Sequence, residues 1–163
     1  QGYIELSRNT PLLIQLFFLY YGLTQIGFHL SGYACALIGV VFLGGSYMAE
    51  SFRAGLESVG KIQLESARSL GLNEWQLIAF VVLPQSLMVS LPSIAANAIF
   101  LLKETSVVSA IALADVLYVT KDLIGSYYKT SETLLLLVLC YLVVLLPLSI
   151  LFSLLERHYK RYI

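Results

Sequence analysis

The sequence predicts an all-α polytopic membrane protein, because its charge is scarce and its uncharged runs are long. Only 12% of the 163 residues are charged, and the mean hydropathy is +0.81, whereas soluble domains carry about 25% charged residues. Residues 9–49, 75–102 and 133–155 form runs of 41, 28 and 23 residues without Asp, Glu, Lys or Arg. A bilayer core of about 30 Å needs about 20 helical residues, so the first run holds two spans and each of the others one. The runs lack the alternation, about ten residues per strand, that is typical of outer-membrane barrels, and helices must then satisfy the backbone.

The first long run predicts two helices joined by a short polar turn. The first span covers about 11–28, since Pro11 suits the first turn of a helix and Thr10 can cap it. The second span covers about 31–49 and is rich in small residues that allow helices to approach closely. These small residues are Gly32, Gly39, Gly44, Gly45 and Ser46.

The second half of the chain predicts two further spans with a mixed segment between them. The third span covers about 75–102, and Pro84 inside it removes a backbone hydrogen bond and bends the helix. Residues 103–133 combine charges with short apolar pieces, which indicates a re-entrant or interfacial element. The last span covers about 133–155. Four transmembrane helices therefore form a single domain over residues 1–163.

The placement of lysine and arginine predicts the orientation. With four spans, both termini and the 49–76 loop share one side of the membrane, which carries seven of the ten cations. These are Arg8, Arg53, Lys61, Arg68, Arg157, Lys160 and Arg161, against Lys103, Lys121 and Lys129 on the other side. The positive-inside rule places the 49–76 loop and the C-terminus in the cytoplasm.

The 49–76 loop contains a short helix with clear start and stop signals. Residues 62–70 carry apolar side chains at helical spacing, and Gly71 can end this helix in the left-handed conformation. Asn73 with Gln76 three residues later predicts a capping box for the next helix. A membrane protein that exposes such a segment to water can use it to contact a soluble partner.

The residues from 65 to 84 resemble the signature loop of permease subunits of bacterial ATP-binding-cassette (ABC) importers. That signature reads Glu-Ala-Ala, three residues, Gly, nine residues, then Ile-x-Leu-Pro. The matching positions are Glu65, Ser66, Ala67, Gly71, Val81, Leu83 and Pro84. Ser66 stands for the second-position Ala and Val81 for Ile, and both replacements are conservative.

Three flanking stretches resemble the polar amino-acid uptake branch of this family, which includes histidine, glutamine and arginine permeases. Arg8-Asn9-Thr10-Pro11-Leu12-Leu13 is similar to its Arg-Gly-Thr-Pro-Leu-Leu element, with Asn9 for Gly. Residues 47–55 are similar to Tyr-x-Ala-Glu-x-Phe-Arg-Gly, and residues 102–106 to Lys-Asp/Glu-Thr-Ser. The resemblance implies the type I importer permease fold, usually with five helices, so we expect one further helix before Gln1.

The resemblance also implies the partners and the location. Residues of about 62–71 would be the coupling helix that docks on a cytoplasmic ATPase dimer. A second permease copy or a paralogous permease would complete the path in the bilayer, and an extracytoplasmic solute-binding protein would deliver the substrate. The location would be the cytoplasmic membrane of a bacterium. Glutamine, basic amino acids and cystine all remain open as substrates, and nothing indicates nucleic acid.

The chain itself shows no catalytic signature. It lacks a Gly-x4-Gly-Lys-Ser/Thr phosphate loop, so we expect ATP to be used by the partner subunit and this chain to bind no cofactor. No Ser/His/Asp set or carboxylate pair stands out, and His29 has no partners at metal-ligand spacing. A helical channel or a membrane enzyme that is not coupled to an ATPase is the alternative. An oligomeric pore ring would indicate the channel, and an intramembrane catalytic pair the enzyme.

A second group of residues yields a hypothesis about the translocation path. Charges near the membrane are costly unless they are paired, reach the interface or line a polar path. We therefore expect Glu104 either to end a span at the interface or to sense the ammonium group of a substrate. The candidate path residues are Lys103, Glu104, Thr105, Ser106 and Asp115.

Overall fold

The computed structural model describes residues 1–160, and side chains for residues 1–157. Seven helical elements follow one another in this part of the chain, and none of its residues lies in a β-strand. They are α1 (Gly2–Arg8), α2 (Leu12–Gln25), α3 (Gly32–Glu57), α4 (Lys61–Ser69), α5 (Glu74–Ile111), α6 (Val116–Tyr127) and α7 (Thr130–Lys160). Lys160 and Arg161, two cations of the orientation argument, lie outside the described side chains.

The described residues contain three helices that are long and apolar enough to cross a membrane. These are α3, α5 and α7. The apolar helix α2 is shorter, and its fourteen residues extend about 21 Å at 1.5 Å per residue. The architecture agrees with the predicted all-α membrane fold, with three full-length spans and one shorter one among these residues.

Helix α2 begins one residue later than predicted. Pro11 takes an extended ψ of 140° and is itself the N-cap, so the helix starts at Leu12. Thr10 does not cap it, because its hydroxyl donates instead to the carbonyl of Leu6. A π-helical turn, Phe18–Gly22, interrupts α2 before its end at Gln25.

Helix α3 continues eight residues beyond the predicted end of its span at residue 49. Ser31 caps its start by accepting a hydrogen bond from the Ala34 amide at 3.2 Å. Glu57 is its last residue, so the connection to α5 comprises residues 58–73. Charged side chains at Glu50 and Arg53 do not stop a helix, and hydropathy alone therefore underestimates its length.

Helix α5 is continuous but changes its winding three times. The turn Glu74–Leu77 leads into a π-helical turn at Ile78–Val82, followed by the α-helix Leu83–Glu104 and a 3₁₀ segment at Thr105–Ile111. The π-helical turn ends two residues before Pro84, which has no amide hydrogen for an α-helical bond. A local change of winding therefore precedes Pro84, and the bend predicted at this proline stays a prediction.

The segment predicted to be re-entrant or interfacial contains α6. Asp115 caps this helix, since its carboxylate accepts a hydrogen bond from the Tyr118 amide at 2.8 Å. Helix α6 packs against the 3₁₀ end of α5 and against α7. Within the described residues, none of the apolar stretch of α7 is buried, so this helix presents its surface to lipid or to another chain.

The core lies where α2, α3 and the 3₁₀ end of α5 meet. Its buried apolar residues are Leu12, Leu16, Cys35, Ala36, Leu43, Val108 and Ile111. Small residues on α3 allow this packing, as predicted. A Cβ at Gly39 would lie 2.8 Å from a methyl group of Leu16, and one at Gly44 would lie 2.9 Å from a methyl group of Leu101.

Helices α3 and α5 make the most extensive contact between two elements. At the end near α4, Gly55 faces the Ser86 carbonyl and the Ser90 hydroxyl so closely that any Cβ would overlap them. One turn away, the Ser51 hydroxyl lies 2.8 Å from that of Ser93 and accepts from the Asn97 amide at 2.8 Å. Small residues and interhelical hydrogen bonds are how helices associate in membranes.

Candidate functional site

The loop between α3 and α5 folds into a helix with a defined end. Helix α4 runs over Lys61–Ser69 and stops because Gly71 adopts a φ of +82°. The Leu72 amide donates to the Ala67 carbonyl at 3.3 Å, and the Gly71 amide donates to the Arg68 carbonyl at 2.9 Å. This pair of bonds is the Schellman motif, which satisfies the last carbonyls of a helix.

The start of α5 is capped just as firmly. The Gln76 amide donates to the Asn73 side chain at 2.9 Å, and the Gln76 side chain accepts from the Asn73 amide at 3.0 Å. This reciprocal pair is the predicted capping box. Only Leu70 to Asn73 separate the two helices, so the angle between them is set by a glycine turn with capped ends.

An ion pair spans this turn. The Arg68 guanidinium donates from Nε to Oε1 of Glu74 at 3.1 Å and from Nη2 to Oε2 at 3.3 Å. Such a two-bond arrangement fixes orientation as well as distance. The Glu74 carboxylate also raises the pKa of the Arg68 guanidinium, chiefly through these hydrogen bonds.

Most of the surface of α4 is open to solvent. Glu65 and Ser66 are exposed, whereas Ala67 is buried with 5% of its surface accessible. Helix α4 contacts the first turn of α5 and its π-helical turn, and a small residue at Ala67 suits that close packing. The side chains of Glu65 and Ser66 therefore face solvent, and Ala67 packs at the contact between α4 and the start of α5.

Three large apolar side chains are also exposed around this loop. Ile62, Leu70 and Trp75 have 79%, 81% and 82% of their surface accessible. A surface that combines apolar anchors with a polar rim is typical of protein interfaces. The sequence placed Leu70 in the helical pattern and Trp75 among the interfacial aromatic residues of a span end. It did not predict that both are exposed beside α4, because positions next to helix ends do not reveal which way a side chain points.

The remaining signature residues lie in α5. Val81 belongs to the π-helical turn, and Leu83 and Pro84 begin the α-helix that follows. Of the seven signature residues, the three before Gly71 lie in α4, and the three after it lie in α5, the helix against which α4 packs. Glu65 and Ala67 thus belong to the exposed helix α4, and Pro84 belongs to the span that follows it.

The five candidate path residues divide into two groups. Thr105 and Asp115 line one cavity of about 220 Å³ beside Cys140 and Tyr141 of α7. Asp115 is occupied as the cap of α6, and the Thr105 hydroxyl donates to the Leu102 carbonyl at 2.7 Å. This cavity does not include the other three residues.

Lys103, Glu104 and Ser106 lie at the junction where α5 changes from α-helical to 3₁₀ winding. Lys103 is exposed and Glu104 is half-buried. Within the described part of the chain, neither Lys103 nor Glu104 has a hydrogen bond or an ion pair through its side chain. Their charges are thus available to a ligand or to another chain.

Comparison with known proteins gives a consistent picture. The sequence model of a family described as binding-protein-dependent transport system inner membrane component matches residues 1–161. The probable glutamine ABC transporter permease protein GlnM of Bacillus subtilis (strain 168) is 31% identical over 160 residues, which cover 98% of this chain and 74% of that protein. The octopine transport system permease protein OccM of Rhizobium radiobacter is 32% identical over 163 residues, covering 94% of this chain and 66% of that protein.

A solved structure is similar as well. A crystal structure of an amino acid ABC transporter with histidines superposes with a TM-score of 0.88 at 34% identity. The match covers 96% of this chain and 73% of that one.

Proposed function

Because this chain belongs to the family of inner membrane components of binding-protein-dependent transport systems, we propose that it is the permease subunit of an ATP-driven importer that moves a polar amino acid. The similar proteins named above are permeases for glutamine and octopine and an amino acid transporter with histidines. The three apolar helices suit a subunit that resides in the membrane. ATP is hydrolysed by a separate subunit, and this chain binds no cofactor.

The observation that carries the proposal is the rigid, exposed helix α4. A helix with a Schellman end, joined by an ion pair to a capped span, moves as one body with that span. A disordered loop would absorb a push, whereas α4 passes it to α5. Helix α4 therefore serves as the coupling helix, with Ile62 and Leu70 as apolar anchors and Glu65 on the polar rim.

The contact between α3 and α5 adds α3 to the group of helices that moves with α4. Both helices flank α4, and Gly55 lets them touch near the end where α4 lies. The hydrogen bonds of Ser51 with Ser93 and Asn97 hold the same pair further along. A displacement of α4 by the ATPase thus moves α3 and α5 together.

Further partners complete the transporter. A second permease, identical or paralogous, faces the uncovered surface of this chain, and a solute-binding protein delivers the substrate from outside. The distribution of lysine and arginine supports a cytoplasmic location for the 58–73 connection and the C-terminus. The substrate biases the cycle through its different affinity for the two states.

Cysteine cross-linking tests the docking of α4. In a full-length chain with Cys35 and Cys140 replaced by alanine, Ile62→Cys and Ser66→Cys are treated with a bifunctional thiol reagent in the presence of the ATPase. We expect both to form a product with the ATPase, and Ser126→Cys on α6, the matched control in another connection, to form none. A product from Ser126→Cys alone would refute docking at α4.

A further inference from the structure

Helix α6 lies at the end of α5 that is opposite to α4. Helix α4 packs against the π-helical turn near the start of α5, whereas α6 packs against the 3₁₀ segment at its end. The 38 residues of α5 extend about 57 Å at 1.5 Å per residue, which exceeds a bilayer core of about 30 Å. Helices α4 and α6 therefore lie towards opposite sides of the membrane.

Both ends of α6 are joined to their neighbours by a residue in the left-handed conformation. Ala112 lies between α5 and α6, Tyr128 directly follows α6, and each has a φ of 55°. Among the described residues, only these two have a positive φ without being glycine. This conformation costs free energy for a residue with a Cβ, and it persists only where the surrounding structure holds it. Ala112 and Tyr128 are therefore positions at which the backbone can relax by changing its dihedral angles.

The packing beneath α6 is loose. A cavity of about 440 Å³ lies between α6 and α7, with Thr120 on one side and Thr133 on the other. A second cavity, of about 220 Å³, reaches Thr105 of α5. Asp115 and Cys140 line both cavities, so the two adjoin at the start of α6. A helix with few close contacts can be displaced at a low cost in free energy.

Lys121 holds α6 to α5. Its Nζ donates to the Ser109 hydroxyl at 3.2 Å and to the Ser109 carbonyl at 3.4 Å. Ser109 is buried and belongs to the last turn of α5, where carbonyls lack helical partners and a cation is favourable. Within the part of the chain that the structure describes, Lys121 is the one side chain of α6 that forms hydrogen bonds to another helix. A single residue thus fastens a loosely packed helix.

We propose that α6 is a hinged lid on the side of the membrane opposite to α4, with Ala112 and Tyr128 as its hinges and Lys121 as its latch. In the closed state, Lys121 contacts Ser109 and Thr120 is buried with 5% of its surface accessible. In the open state the latch is released, and the cavities beneath α6 become accessible to water. The inference rests on the proposed transport function, because a lid at this position serves a path that opens away from the ATPase.

The two devices act on the equilibrium between these states in opposite directions. The hydrogen bonds of Lys121 favour the closed state, whereas the left-handed hinges disfavour it. Lys121→Gln should therefore shift the population towards the open lid. Ala112→Gly should shift it towards the closed lid, because glycine adopts a positive φ without the steric cost of a Cβ.

The rate of thiol labelling beneath α6 tests the proposal. The full-length permease with Cys35 and Cys140 replaced by alanine is reconstituted with its ATPase in liposomes. Thr120→Cys is the reporter and reacts with a membrane-impermeant methanethiosulfonate. We expect Lys121→Gln to raise the labelling rate at least about threefold and Ala112→Gly to lower it. Lys129→Gln, at an exposed cation outside α6, is the matched control and should leave the rate unchanged.

Two further thiols separate lid opening from a general loss of packing. Thr133→Cys, on the α7 side of the same cavity, is a second reporter and should respond as Thr120→Cys does. Ser46→Cys replaces a fully buried residue of α3, and its labelling should not respond to Lys121→Gln. Trapping the ATPase with ATP and vanadate should raise the labelling of Thr120→Cys if the lid opens during the cycle.

Two results would overturn the proposal: equal labelling in Lys121→Gln and Lys129→Gln with both reporters, or labelling that trapping leaves unchanged. ATP-driven uptake with the solute-binding protein is measured on the same liposomes. Uptake together with either of these results would remove the lid and leave the transport function standing. Absence of ATP-driven uptake would count against the transport function, whereas the labelling rates would still decide whether α6 opens.

Discussion

The Arg68 guanidinium and the Glu74 carboxylate bridge the turn between α4 and α5 through two hydrogen bonds. Six residues separate them in the chain, and Gly71 with its positive φ lies between them. The pair therefore links α4 to the span that follows, so that the two helices can move as one body.

Breaking this pair should impair coupling more than assembly. Because both side chains are exposed, we expect Arg68→Gln to leave the amount of assembled complex unchanged. Transport per ATP hydrolysed should fall, since α4 can then rotate about the glycine turn. The measurement is uptake and ATPase rate on the same proteoliposomes.

The charge-swapped double variant provides the control. Arg68→Glu with Glu74→Arg should recover much of the lost coupling, and Lys61→Gln, an exposed cation on the same helix, should have no effect. Equal coupling in Arg68→Gln and wild type would show that the bridge has no such role.

Gly71→Ala should fray the end of α4. A non-glycine residue in the left-handed region costs about 1–2 kcal/mol, which corresponds to a factor of about 5–30 in a local opening equilibrium. Hydrogen exchange of the α4 amides should accelerate by about that factor. Gly71→Asn should have a smaller effect, because asparagine tolerates this conformation better.

Gly125→Ala is the reference for that series, as nothing lies within 4 Å of a Cβ there and its φ is not positive. Exchange in α4 that is equally slow in Gly71→Ala and Gly125→Ala would contradict the assignment of Gly71 as the helix terminator.

Gly55→Ala should destabilise the contact between α3 and α5. The added methyl group would overlap the Ser86 carbonyl, which is backbone and can move only with its helix. Overpacking of this kind costs about 1–3 kcal/mol, and the thermal unfolding midpoint of the purified chain should fall. At Gly45 a Cβ would meet only the hydroxyl end of Tyr3, so Gly45→Ala should lower the thermal unfolding midpoint less than Gly55→Ala does. The reverse order would show that the close approach at Gly55 is not needed.

Glu104→Gln should lower uptake and substrate-stimulated ATPase activity together. The Glu104 carboxylate is half-buried and has no side-chain partner in the described residues, so it can attract a cationic ammonium group on the path. Lys129→Gln, at an exposed cation outside the candidate path residues, is the control and should change uptake less. Normal kinetics for both activities in Glu104→Gln would place this residue outside the path.

Local signals in the sequence predicted the loop well. Gly71 and the Asn73–Gln76 capping box follow from short-range rules of backbone geometry, and the structure confirms both. The small residues Gly39 and Gly44 likewise indicated close packing. The extent of α3 was missed, because hydropathy marks the membrane core and a helix can continue beyond it to Glu57.

Relationships between distant residues were not accessible from the sequence. Arg8 and Glu50 stand at the two ends of the longest uncharged run, which marks them as the boundaries of two spans. The fold brings them together because α1 packs along α3, and no periodicity encodes that contact. Asp115 is a second example. Its charge made it a candidate for the translocation path, and in the structure its carboxylate caps α6.

ATP-driven uptake of labelled amino acids by the reconstituted complex tests the central claim most directly. The full-length chain is assembled with its ATPase in liposomes and supplied with the solute-binding protein and L-glutamine, L-arginine, L-histidine or L-cystine. We predict accumulation of at least one of them that requires ATP and is reduced by Arg68→Gln. Accumulation that proceeds equally without ATP, or none in a complex that hydrolyses ATP, would contradict the account.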